Sequence, residues 1–266
     1  MGLPSFILPI MGKGGYLPLT KAWQTATSET DTTILNALNT FEAGLIANSL
    51  TGKFNAIYPM VGGNSTKHSY NFMNTALYNL SFVGGWTHSA TGALPNGTNA
   101  YADTFLTPSV TLTVFNAHLS FYSRTSAANA TRVSIGSANA PTYTTSHQLI
   151  LKWSDGNSYG AINNNSVLAT YANATSTGWY MVSRTANNSL KSYKNNSLSA
   201  TNTTITTAIA NTNKIFIAAR SDSGVALNFD NKECAFASIG SGLSDAEAST
   251  LYTLIQNFQT SLSRQV

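Results

Sequence analysis

The apolar pattern divides the chain into two helical stretches on either side of a long β-like middle. Over residues 30–47, Ile34, Leu35, Leu38, Phe41, Leu45 and Ile46 recur at three- and four-residue spacings, which gathers them on one face of a helix, with Ser28, Thr30 and Asp31 available as caps. Near the other end, Ser244 and Glu247 frame a capping box, and Leu251, Leu254, Ile255, Phe258 and Leu262 form one stripe behind it. That helix is predicted to run to about Ser263. Everything between reads as short β-branched and aromatic segments, cut roughly every eight to twelve residues by Asn, Gly, Ser and Thr, the spacing of an antiparallel sandwich or barrel. Strands are predicted at 54–61, 110–115, 118–123, 131–135, 148–153, 179–184, 190–194, 214–219 and 233–239. Asn195-Asn196 reads as a hairpin turn, because Asn tolerates the positive φ such turns require, and Asn163-Asn164-Asn165 and Asn187-Asn188 read the same way. The run 200–213 is an edge strand or a loop. The organisation predicted is an N-terminal anchoring arm and helix (1–50), a mainly β sandwich (51–243) and a C-terminal helix packed on it (244–266).

Composition sharpens this picture. Only 9% of the 266 residues are charged, while Ser, Thr and Asn together make up roughly a third, well above ordinary usage. The surface is therefore polar but mostly uncharged, and 12 Phe, 12 Tyr and 4 Trp are enough to fill a core. The net charge of +4 is spread along the chain with no run denser than Lys191 and Lys194, which argues against a nucleic-acid partner. A single Cys234 excludes an intramolecular disulfide framework and a thiolate zinc site, and its apolar neighbours predict a buried thiol. The first eleven residues are apolar but lack a basic flank and carry Pro4 and Pro9, so they read neither as a signal peptide nor as a membrane span. With Phe6, Ile7, Leu8 and Ile10 they form either an extended assembly arm that needs a partner surface or a strand folded back on its own domain. Deletion of residues 1–28 is expected to leave the sandwich folded.

Two groups of residues carry resemblances. Gly178-Trp179-Tyr180-Met181-Val182, a short turn, and Leu190-Lys191-Ser192-Tyr193-Lys194-Asn195-Asn196 resemble the paired strands of the concanavalin A-like, laminin-G-like jelly-roll sandwich, with Asn196 where that family usually has glycine. The segments 82–89, 95–104, 119–124 and 236–240, the last running into the capped helix, resemble tail- and head-fibre-type structural proteins from phages of Bacteroidetes hosts, including crAss-like phages. The second resemblance covers about residues 54–266. It implies a virion component bearing a lectin-like sandwich, assembled in the bacterial cytoplasm, docked to other virion proteins by its N-terminal region and assembled as a homo-oligomer, a trimer by family habit.

Catalytic patterns are sparse. Gly156-Asn157-Ser158-Tyr159-Gly160 fits a nucleophile elbow, but Ala161-Ile162-Asn163-Asn164 cannot supply the helix that must follow, so a β-turn is the plainer reading. The 4 histidines, His68, His88, His118 and His147, are too far apart in sequence for a zinc-ligand pair. Among the 10 carboxylates no strand-like run holds two on one face as a glycosidase needs, and Asp245 and Glu247 belong to the first turn of a helix. Asp155-Gly156-Asn157 and Asp222-Ser223-Gly224 suit turns as well as calcium, with one carboxylate each. A non-enzymatic protein with no cofactor or metal and no membrane insertion is therefore expected. Glycan binding needs an exposed aromatic face beside amides and hydroxyls. Trp86 and Tyr101 lie outside the strand pattern with His88 and Asn96 beside them, and make the candidate glycan site, Trp86 being alternatively a plug of the core. A host-surface glycan is the ligand this implies.

Overall fold

The computed structural model describes residues 15–164, 168–205 and 209–266. The assembly-arm residues Phe6, Ile7, Leu8 and Ile10, and Asn165 of the proposed turn, lie outside them. The first sheet has eight strands: β1 (Phe54–Tyr58), β3 (Trp86–Ser89), β4 (Gly92–Pro95), β6 (Ala117–Ser123), β11 (Gly178–Ala186), β12 (Ser189–Lys194), β13 (Ser197–Asn202) and β17 (Cys234–Gly240). The second has nine: β2 (Ser81–Val83), β5 (Tyr101–Asp103), β7 (Ile135–Ala138), β8 (Ser146–Ile150), β9 (Asn157–Ile162), β10 (Ala169–Ala172), β14 (Phe216–Ile217), β15 (Arg220–Asp222) and β16 (Val225–Leu227). Pairing is antiparallel except for β7 with β15, a parallel contact that the sequence reading did not foresee. The two sheets face each other across Leu119, Phe121, Tyr180, Val182 and Ile239 from one and Ile135, Leu149, Ile162, Ala169 and Ile217 from the other, so the mainly β sandwich of jelly-roll type is the architecture.

Three helices lie on the outside of the first sheet: α1 (Pro18–Thr27), α2 (Thr32–Ala47) and, after the short α3 (Ser65–Ser69) and α4 (Pro108–Thr111), α5 (Asp245–Ser261). Asp31 caps α2 through Oδ1, which accepts from the Thr33 N–H at 2.8 Å, and Ser244 and Glu247 close the capping box of α5. The apolar stripes of these helices meet Tyr122, Trp179, Met181, Tyr193 and Phe236 on the outward positions of β6, β11, β12 and β17. Those central strands are therefore buried on both faces, and every residue of β6 and β17 is inaccessible.

Several predicted elements are corrected. The run 110–115 is not a strand: Pro108 fixes φ for a helical start, Leu112 N–H donates to Pro108 O at 2.9 Å and Thr111 Oγ1 to Thr107 O at 2.9 Å, so a proline turn overrides the β-branched composition. The strands expected at 131–135 and 148–153 are displaced to β7 and β8, the one at 214–219 contracts to β14, and α5 ends two residues before Ser263. The undecided run 200–213 opens as the end of edge strand β13 and continues without strand among its described residues. Asn195 takes φ 52° in the β12–β13 hairpin, and Asn187 and Asn188 form the two-residue turn before β12.

α1 carries no capping signature in its own sequence because its cap is remote. No neighbouring side chain satisfies its first N–H groups; Glu42 of α2 does, with Oε1 accepting from Leu19 N–H at 2.9 Å and Oε2 from Thr20 N–H and Thr20 Oγ1 at 2.8 Å each. Trp23 of α1 is 0% exposed inside the helical cluster, so truncation at residue 28 removes core rather than arm. Glu42→Ala is expected to lower stability by about 2 kcal/mol, the scale of hydrogen bonds to a charged group, and to free α1 to amide exchange before the rest of the fold.

Candidate functional site

Period-two geometry decides what the second sheet shows to solvent. Ala102 of β5 and Ile217 of β14 point into the core, so Tyr101, Asp103 and Phe216 point out. Tyr101 stacks on Phe216 with ring centroids 4.6 Å apart and an interplanar angle of 29°. Phe216, 4% exposed, is the base of this pair and Tyr101 its outer layer. Asp103 Oδ1 accepts from the Phe105 N–H at 2.7 Å and Oδ2 from Lys214 Nζ at 3.1 Å. The Lys214 ammonium sits 4.6 Å from the Phe105 ring centroid, and Phe105 is 49% exposed. Tyr101, Asp103 and Phe105 thus form one outward strip along β5 and its exit, with Lys214 beside it.

The same face continues across β7. Gly136 is in register with Phe216, Gln148 and Arg220, and Arg220 pairs with Asp222 through Nε–Oδ1 and, at 2.8 Å, Nη2–Oδ2. The guanidinium lies 5.0 Å from the Tyr143 ring centroid, and the Tyr143 hydroxyl donates to Asp222 Oδ2 at 3.3 Å. None of α1, α2 and α5 packs on this sheet: the apolar cluster they build takes its sheet residues from the first sheet alone. The outcome is one sheet sealed under helices and one left open with aromatic and polar side chains.

Of the four predicted glycan residues, only Tyr101 presents its side chain on this open face. Trp86 and Tyr101 are strand residues rather than loop residues. Trp86 and His88 point between the sheets at the edge where β2 and β3 meet, packed on Phe82 at 5.1 and 4.6 Å and stacked on each other at 6.0 Å. The Trp86 indole N–H is committed to Val83 O at 3.0 Å and Tyr101 O at 3.3 Å. Asn96 Oδ1 accepts from the N–H groups of Thr98, Asn99 and Ala100 and its amide donates to Asn99 Oδ1, so the side chain builds the turn that launches β5. Trp86 and Asn96 therefore position the backbone of Tyr101. Gly84, with φ +79°, makes the two-residue passage from β2 to β3 possible, because a Cβ there would stand 2.2 Å from Asn99 O.

Sequence spacing also hid a histidine pair. His68 Nδ1 and His88 Nδ1 are 2.9 Å apart, and burial, then the neighbouring His88 and Arg264, hold His68 down to about 3, so it is neutral at pH 7. Phe105, Phe216, Lys214 and Arg220 are likewise missed as site residues: Lys214 and Phe105 meet only because β14 pairs with β5, more than a hundred residues away in sequence.

The catalytic patterns resolve into structure. Ser158 of the G-x-S-x-G run lies within β9 and its hydroxyl donates to Ile150 O at 2.8 Å. Asp155 accepts from the Asn157 N–H and the Tyr159 hydroxyl, and Asp222 belongs to the Arg220 pair. Among the described residues no group of three or more His, Cys, Asp or Glu side chains is placed to hold a metal, and no helix is long and apolar enough to cross a membrane. Cys234 is buried, and that burial raises its thiol pKa well above the usual range.

The class this geometry defines is a two-sheet sandwich with one helix-covered face. In sequence the chain matches no family model and no curated protein. Among solved structures it is similar to domain 4 of AbnA, a GH43 extracellular arabinanase from Geobacillus stearothermophilus in complex with arabinotriose, with TM-score 0.51 and 13% identity over 75% of this chain and 98% of that one. It is similar to the same degree to a mutant of HCR/D, with TM-score 0.51 and 13% identity over 77% of this chain and 53% of the other. The chain thus spans about half of HCR/D. Likeness at this identity shows the fold.

Proposed function

We propose that the protein is a non-enzymatic glycan-binding module displayed on a phage particle, with the Tyr101–Asp103–Phe105 strip as its binding surface. The observation that carries this is the asymmetry of the two sheets: helices seal one, while the other presents two partly exposed rings beside a carboxylate and an ammonium. Sugar rings stack on aromatic faces, and their hydroxyls both donate and accept, which such a strip can answer. The fold accommodates an oligosaccharide in domain 4 of AbnA, which was solved in complex with arabinotriose. The phage setting rests on the resemblance of residues 54–266 to fibre-type virion proteins; in this reading residues 1–50 dock a homotrimer to other virion proteins, and weak single contacts add up through avidity. Each of the 10 carboxylates serves a helix end, a turn or an ion pair, which supports binding without hydrolysis.

A glycan array probed with the full chain tests the reading. Binding is expected, and Tyr101→Ala and Phe105→Ala are each expected to weaken it at least tenfold, about 1.4 kcal/mol, without changing the circular dichroism spectrum. A blank array together with normal incorporation into particles would leave only the assembly role. Release of reducing ends from a polysaccharide would overturn the non-enzymatic reading.

A further inference from the structure

We propose that this strip selects uncharged polysaccharides and rejects acidic ones, an inference that rests on the glycan-binding reading above. A carboxylated or sulfated sugar needs a cation whose charge is not already answered, because an anion brought to a paired cation also meets the carboxylate beside it. Lys214 beside the strip and Arg220 farther across the sheet are each already paired with a carboxylate. Lys214 Nζ is bound to Asp103, whose side chain is only 16% exposed, and Arg220 is bound through two nitrogens to Asp222, whose side chain is 1% exposed. Taking either cation away strands a carboxylate that water cannot reach well, and an unpaired buried charge is costly. Within these two pairs each cation is matched by a carboxylate, so neither pair by itself draws a polyanion.

Neutral hydroxyls meet no such obstacle. The Asp103 carboxylate has about four lone-pair directions and spends two, on Phe105 N–H and Lys214. The Lys214 ammonium has three hydrogens and spends one on Asp103, and its side chain is 48% exposed. A sugar diol can therefore donate to Asp103 and accept from Lys214 while the pair between them stays intact, and the open faces of Tyr101 and Phe105 take the ring planes. Tyr101 already has one face on Phe216 and Phe105 one face under the ammonium, so each ring offers its other face.

The test titrates the full chain with arabinan, galactan, mannan and laminarin as neutral polymers and with polygalacturonate, alginate and chondroitin sulfate as acidic ones, each at 20 and 500 mM NaCl. The expected result is binding to at least one neutral polymer that changes less than twofold with salt, and no binding to the acidic set. Binding confined to acidic polymers and lost at high salt overturns the selectivity while leaving the glycan reading standing; silence toward all seven overturns both. Asp103→Asn supplies an independent arm, because it keeps an acceptor for the Phe105 N–H yet releases Lys214. That variant is expected to gain low-salt binding to polygalacturonate, and the absence of any gain would show that Lys214 was not held back by its partner.

Discussion

Acidification from pH 7 to pH 4.5 is expected to unfold the protein. His118 and His147 are fully buried, and burial holds each down to about 4; His68 is held down to about 3. In the unfolded chain all three return to about 6.5. A base whose folded pKa is depressed binds fewer protons folded than unfolded, so its contribution is complete above pH 6.5 and is lost as pH falls toward the folded value. Near pH 5 each histidine gives a slope of up to about 1.4 kcal/mol per pH unit, and integrated from pH 7 to 4.5 the three together remove about 7 kcal/mol, comparable to the roughly 5–15 kcal/mol available to a domain. The neutral forms are fixed by geometry: His118 Nδ1–H donates to Ser241 O at 2.6 Å, leaving Nε2 to accept from the Ser238 hydroxyl at 3.0 Å. Carboxylates enter later, since Lys191 and then Tyr193 hold Asp245 below its usual range. Urea midpoints measured between pH 7.5 and 4.5 check this; a flat profile down to pH 5 would mean that these rings are not buried neutral.

Replacing Arg264 is expected to be among the most damaging single changes. The side chain is 1% exposed and among the described residues no carboxylate forms an ion pair with it. Its Nη1 donates to Met60 O at 2.7 Å and its Nη2 to Pro59 O at 2.6 Å and Ala235 O at 2.9 Å, so one guanidinium ties the chain end to the exit of β1 and to β17. Met60 stands at φ 47°, a left-handed conformation that costs about 1 kcal/mol or more and turns its carbonyl toward the arginine. Burial, and then Arg124, pull the Arg264 pKa down to about 9, a sign of how little water reaches it. Arg264→Ala removes the guanidinium donors from the Pro59, Met60 and Ala235 carbonyls, of which Ala235 keeps the Gln259 amide, and opens a cavity, for an expected loss of about 3–5 kcal/mol. Arg264→Lys keeps the charge but cannot span both carbonyl directions, so it is expected to recover less than half. Chemical denaturation with an unchanged m-value and a lowered midpoint would support this; a midpoint within the error of the parent would exclude it.

What the sequence discloses depends on how local each determinant is. The capping box at Ser244, the periodic stripe of α2 and the Asn195 turn are written within a few residues of one another, and all are found. α1 is invisible because its cap, Glu42, comes from another helix, and the strand expected at 110–115 fails because one proline outweighs a β-branched run. The site is harder still. Tyr101 is recognisable as an aromatic among polar residues, but its outward direction follows only from Ala102 facing Ile217 in the core, and Lys214 reaches Asp103 only through the pairing of β14 with β5. Trp86, singled out for stacking, instead spends its indole N–H on the backbone that carries Tyr101. Isolated residue types suggest chemistry; the partner that completes or consumes it arrives with the topology.

The passage from β2 through Gly84 to β3, the Asn96 turn and the Trp86 wedge together hold β5 from behind, while Phe105 and Lys214 stand beyond its end and touch little of the core. Support and contact are thus assigned to different residues. Under the attachment role proposed above, exchanges at positions 105 and 214 would alter what the strip offers a ligand while leaving untouched the residues that hold β5 in place.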